Sequence, residues 1–181
     1  GTFLVSSAFA SNVVLNGSSF MSVTSGGNAI NTTINSGGFQ TVSSAASVLS
    51  TVVNSGGTQS ILSFGSGSNT VVNSGGTAFI SGGVANGLTV SLGGVLQTFI
   101  GTGNTGVVSG TNEIGGFFAS GSSASNVVLN NSGFLSVTSG GKVNKTTVNA
   151  GGDVYVLSGA TATSTTLNNG GVLSLTSGGS A

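Results

Sequence analysis

Only four side chains in the 181-residue chain carry a charge at neutral pH, Glu113, Lys142, Lys145 and Asp153, and histidine and cysteine are absent. That inventory restricts the chemistry. Glycoside cleavage needs two carboxylates, or a carboxylate and a basic group, close together. Glu113 stands alone, and Asp153 could at most meet Lys142 or Lys145 across adjacent turns of a repeat as an exposed ion pair. Serines are abundant, but no imidazole can activate one, and neither lysine sits in a nucleophile motif. Glycine-rich calcium repeats require a regularly placed aspartate, which is missing. The chain is therefore expected to hold no catalytic residue, metal or cofactor, and not to be an enzyme. Two kinds of residue remain that could act. Ser25, Ser36, Ser55, Ser74 and Ser139 recur beside glycines at turns, where a transferase could reach the hydroxyl, although serine also favours such turns by bonding the local backbone. Phe20, Phe39, Phe117, Phe118 and Phe134 could form a contact patch.

What positions these residues is a repeat. Phe20 to Gly38, Phe39 to Gly57 and Thr58 to Gly76 are three contiguous units of nineteen residues, each closing with Asn-Ser-Gly-Gly. The pattern returns from Phe134 to Gly152 and from Asp153 to Gly171. Counting from the residue after the double glycine, position 4 holds Val23, Val42, Ile61, Val137, Val156 and Leu175, and position 15 holds Ile34, Val53, Val72, Val148 and Leu167. Thr32, Thr51, Thr70, Thr146 and Thr165 lie two residues before the latter set, on the same face of a strand. Met21, Leu135 and Val154 precede position 4 by the same spacing. Each unit thus reads as two short strands with glycine-bearing corners.

Two strands with one or two inward side chains each leave their apolar face wet. Stacking the units as turns of a coil brings like positions about 4.8 Å apart and pairs backbone groups between turns. The expected fold is all-β: a parallel β-solenoid of about nine to ten turns, nineteen residues per turn, hence a rod of about 45 Å. Right-handed coiling is the default for parallel crossovers. Phe20, Phe39 and Phe134 occupy position 1, out of phase with the inward positions. They could stack as an external ladder or tuck beneath the corner as satellite core.

The chain reads as one solenoid segment over 1–181, with Gly1 as a cut end and irregular turns over 95–133. There the phase can be cut after Gly110 or after Gly116, giving one short and one long turn either way. Ala10 to Asn16 nevertheless recurs as Ala124 to Asn130, an offset of 114 residues or six units. Core register is therefore kept, and the irregular zone is either an outward functional loop or tolerated drift.

A net charge of zero removes attraction to phosphates and to anionic membranes. Nucleic acid is not an expected partner. Apolar runs are too short to span a bilayer, so this segment should not insert directly. High glycine and serine would suggest a flexible linker, but the ordered aliphatic columns and a mean hydropathy of +0.45 argue for a packed fold.

The recurring V-x-S-G-G-x-A-x-x-T-x-V-N-S-G-G, best seen from Val23 to Gly38 and from Val137 to Gly152, resembles the passenger repeats of AIDA-type autotransporter adhesins. The resemblance implies a right-handed β-helix on the surface of a Gram-negative bacterium, adhesion or autoaggregation as the activity, and O-linked heptose on passenger serines, added by a glycosyltransferase. The family's signal peptide and translocator barrel are missing from the sequence. The function expected is that of a cell-surface adhesin or autoaggregation module, binding itself or a host or neighbouring cell through a repetitive Ser/Thr/Asn-lined face. An ice-binding solenoid is the alternative, although Val52 and Val71 interrupt its outward threonine row. A self-assembling extracellular filament is another, because open solenoid ends offer unpaired strand edges.

Overall fold

The computed structural model describes the backbone of residues 1–99, 107–112, 115–120 and 123–181, and the side chains of 1–96 and 123–181. Its strands form two parallel sheets. The first holds ten strands stacked in chain order, from Thr2–Ser6 and Phe20–Thr24 through to Asp153–Val156 and Val172–Leu175. In-register pairs such as Phe20 with Phe39, and Val23 with Val42, repeat along it. Eight of the ten are paired on both edges, so about eight turns are stacked on both sides, slightly fewer than the nine to ten expected.

The remainder of each turn differs from expectation. A regular unit contains three strands rather than two, for example Phe20–Thr24, Asn28–Ile30 and Thr33–Ile34. The second and third belong to one sheet and are separated by a single left-handed corner. Asn12, Asn31, Ser50, Asn69, Asn126, Lys145 and Ser164 occupy that corner with φ between 53° and 57°. Asparagine tolerates this region better than other residues with a Cβ, because its short polar side chain bonds locally. Mid-molecule the two pieces join into continuous strands, Val84–Val90, Val107–Asn112 and Ser123–Leu129.

The inward columns run as the spacing predicts. Val23, Val42, Val137, Val156, Ile34, Val53, Val72 and Val148 are all fully buried, with Ile61 at 1% exposure. Thr32, Thr51, Thr70 and Thr146 lie beside them, equally buried. Leu167 and Leu175, expected in the same columns, are instead about half exposed, because they stand in the final rungs with no partner above. The second strand adds a third inward column of small residues, Ala10, Ala29, Val48, Ala85, Ala124, Val143 and Ala162, narrow enough for the corner to close over it.

Register also resolves the irregular zone. Thr77 pairs with Val95, Leu96 with Phe117 and Gly116 with Phe134, spacings of 18, 21 and 18 that restore three periods of nineteen. The turn boundary thus falls between Gly115 and Gly116, one residue before the later of the two anticipated cuts. The offset grows from 18 at Ser81–Phe99 to 23 at Val84–Val107; the added residues belong to 100–106, outside the described residues.

Candidate interaction and modification surfaces

The corner serines fall into two columns. Ser25 and Ser139 follow the first strand, whereas Ser36, Ser55 and Ser74 precede the closing double glycine; all five are exposed. Each of the latter three lies beneath a glycine of the next turn. A Cβ placed on Gly56 would come within 2.8 Å of Ser36 Oγ, one on Gly75 within 2.5 Å of Ser55 Oγ, and one on Gly93 within 2.7 Å of Ser74 Oγ. The absent methyl groups therefore leave these hydroxyls uncovered, the oxygen taking up room that a Cβ would need. Ser139 lies beneath Gly159 in the same way, 3.8 Å from the absent Cβ. Ser25 differs, because Ala45 stands at the matching left-handed position with φ 62° and brings its methyl group.

Of the phenylalanines, Phe20 and Phe39 are brought together. Their rings stack with centroids 5.6 Å apart and 11° between planes, half-buried, and Thr58 and Thr77 succeed them in register. Phe134 occupies the same column several rungs away, opposite Asp153. Phe117 and Phe118 pair with Leu135 and Ser136, in the two neighbouring columns; their side chains lie outside the described residues. More exposed rings, Phe9 at 66% and Phe64 at 76%, sit at the second strand and at the first corner, where the aliphatic spacing gave no signal.

The third strand builds an outward strip. Val14, Thr33, Val52 and Val71 pair in sequence, half-buried apart from Val14, which is exposed. Beside them Asn35 donates from Nδ2 to Asn16 Oδ1, Asn54 to Asn35 and Asn73 to Asn54, each at 2.7 Å. The ladder resumes with Asn149 to Asn130 and Asn168 to Asn149. One amide per rung keeps an oxygen lone pair and an N–H turned outward, so the strip presents regular donors and acceptors without charge.

A second ladder is internal and was not anticipated. Gln40 and Gln59 take the inward place that Met21, Leu135 and Val154 hold elsewhere, and both are fully buried. Gln59 Nε2 donates to Gln40 Oε1 at 3.0 Å, Gln40 Nε2 donates to Thr32 Oγ1 at 3.3 Å, and Thr70 Oγ1 donates to Gln59 Oε1 at 3.2 Å. The chain thereby satisfies much of a buried polar group that would otherwise be costly.

The few charges do not converge. Asp153 lies in the first sheet opposite Phe134, whereas Lys142 lies in the second, between Ser123 and Thr161, with Lys145 at the corner that follows, so neither lysine stands opposite Asp153 across adjacent turns. Glu113 lies outside the described residues. Among the described residues no group of three acidic, histidine or cysteine side chains could hold a metal, and no helix is long and apolar enough to cross a membrane.

A repetitive, nearly uncharged solenoid with outward ladders of amides and hydroxyls defines a stalk-like interaction protein. The family model described as an adhesin of the bacterial autotransporter system, probable stalk, matches residues 1–57 and 109–171, and the chain belongs to that AIDA family. Among solved structures, the crystal structure of a TibA fragment hyper-glycosylated by TibC catalysis aligns with a TM-score of 0.87 and 34% identity, covering 99% of this chain and 70% of that one. No curated protein matches the sequence. The chain is a passenger module of the adhesin and autoaggregation kind, and its family and fold are those of a structural protein.

Proposed function

We propose that this segment stands at the surface of a Gram-negative cell and joins cells by self-association through the outward strip of the third strand. The observation that carries this reading is the asparagine ladder flanked by Thr33, Val52 and Val71. An uncharged strip with one amide and one small side chain per turn can meet a second copy at many rungs. Weak contacts repeated in register then add by avidity. The test is cell display: the T33K/V52K/V71K variant should lose clumping while its far-ultraviolet spectrum is unchanged, because the three positions face outward. Clumping that survives all three substitutions overturns the choice of face.

Corner serines are, in this reading, acceptors for a glycosyltransferase, as the hyper-glycosylated TibA fragment suggests by analogy. The absence of a covering methyl group ranks them. Ser36, Ser55, Ser74 and Ser139, each under a glycine, should be modified ahead of Ser25 under Ala45. Peptide mapping of host-derived protein checks the order. Equal occupancy at Ser25, or an unmodified mass, would sink it.

A further inference from the structure

Both basic side chains of the molecule, Lys142 and Lys145, fall on one short segment, and that segment borders a groove. The depression, about 340 Å³, lies on the outer face of the second strand between Ser123, Ser125, Lys142, Asn144, Thr161 and Thr163. Lys142, Asn144, Lys145 and Thr163 are exposed. Matching places in other rungs are uncharged: Asn28, Ser47, Ser66 and Thr161 stand where Lys142 does.

Lys145 breaks a local rule as well. It takes the left-handed corner with φ 55°, where the other described left-handed corners are asparagine, serine or, at Gly87, glycine, and a long side chain without local hydrogen bonding is disfavoured there. Departures of this kind from a repeat's own chemistry mark places where something other than folding is served. Thr163 Oγ1 shares its proton between Val143 O at 3.2 Å and Asn144 Oδ1 at 3.3 Å, which holds hydroxyl and amide groups in the groove that Lys142 lines.

We propose that this groove binds an acidic polysaccharide in which carboxylated sugars alternate with uncharged ones. A carboxylate would sit at the Lys142 ammonium, which lines the groove, with Lys145 adding positive charge from the adjoining corner. Hydroxyls of neighbouring sugars would exchange hydrogen bonds with Asn144, Thr161 and Thr163. Charge complementarity fixes the partner's character: two cations neutralise one or two carboxylates, and with no other basic side chain in the sequence a dense polyanion gains nothing further along the rod. Salt should therefore weaken binding only modestly.

The experiment titrates the full chain, isotope-labelled, with a hyaluronan octasaccharide and, separately, with neutral dextran, heparin and a DNA duplex. The octasaccharide should shift amide resonances of residues 123–125, 142–145 and 161–163, and dextran should bind more weakly. The K142Q/K145N variant should weaken octasaccharide binding about fivefold, the scale of two exposed charge pairs. Its second substitution restores the residue type that Asn126 supplies at the same corner one turn earlier, so an unfolding temperature equal to or above that of the parent is expected and separates lost binding from lost fold. Absence of shifts, shifts elsewhere, or an unaffected double variant would overturn the proposal. So would tighter binding of heparin or DNA, which would make this a general polyanion patch.

Discussion

At the level of single residues, the closing glycine of each unit is what lets successive turns stack closely. A Cβ on Gly57 would lie 2.5 Å from the carbonyl oxygen of Ile34, and one on Gly38 2.6 Å from that of Leu15. Ser19 holds the same place in the first unit and already carries a Cβ there. At the other corner Ala46 and Ala160 are accommodated, fully buried, although a Cβ on the equivalent Gly27 would come within 2.3 Å of the Val5 carbonyl oxygen. That corner can shift. The closing one follows a left-handed glycine and is glycine in each regular unit after the first. Gly57→Ala should accordingly destabilise the fold by about 1–3 kcal/mol through overpacking, and Ser19→Ala should be nearly neutral. Chemical denaturation of both variants checks the contrast; equal effects would refute it.

At the level of strands, the buried glutamines set the pairing of three consecutive turns. Gln40→Leu removes the acceptor of Gln59 Nε2 and the donor to Thr32, leaving two buried groups unpaired, which should cost about 1–3 kcal/mol. Replacing both glutamines by leucine relieves the stranded Gln59 amide but still leaves the buried Thr32 and Thr70 hydroxyls without these partners, so it should recover only part of that loss, as measured by the denaturation midpoint. The inward columns were legible in the sequence because a two-residue spacing repeated at nineteen leaves few alternatives. The glutamines were not, since Met21, Leu135 and Val154 defined their column as apolar. The third strand was hidden for a different reason. Asn31 and its equivalents look like ordinary strand-end polar residues, and only backbone geometry reveals that one left-handed residue divides a strand while keeping both halves in one sheet.

For the whole molecule, the family was legible from the joint placement of Ser-Gly-Gly, threonine and Asn-Ser-Gly-Gly, whereas the surfaces were not. Ser36 and Ser25 look alike in sequence, and only the residue one turn above, Gly56 or Ala45, tells them apart. Likewise Lys142 and Asp153 are close in sequence, yet the corners between them send one to each sheet. Turn boundaries near Gly116 were ambiguous because short and long units are interchangeable until register is known.

Most backbone hydrogen bonds run between turns, for instance Thr58 N–H to Gly38 O and Thr77 N–H to Gly57 O, and so lie along the rod. A pulling force along that axis acts on them as on a zipper, opening the end turn alone while the remainder stays intact. Each released turn would add about 65 Å of chain for about 4.8 Å of rod surrendered. Stretching one molecule should give a train of small, evenly spaced yields, and a single abrupt rupture would contradict it. Two cells held by such stalks in flowing liquid would drift apart gradually at nearly constant tension, and each turn that re-formed when the flow slackened would draw them back.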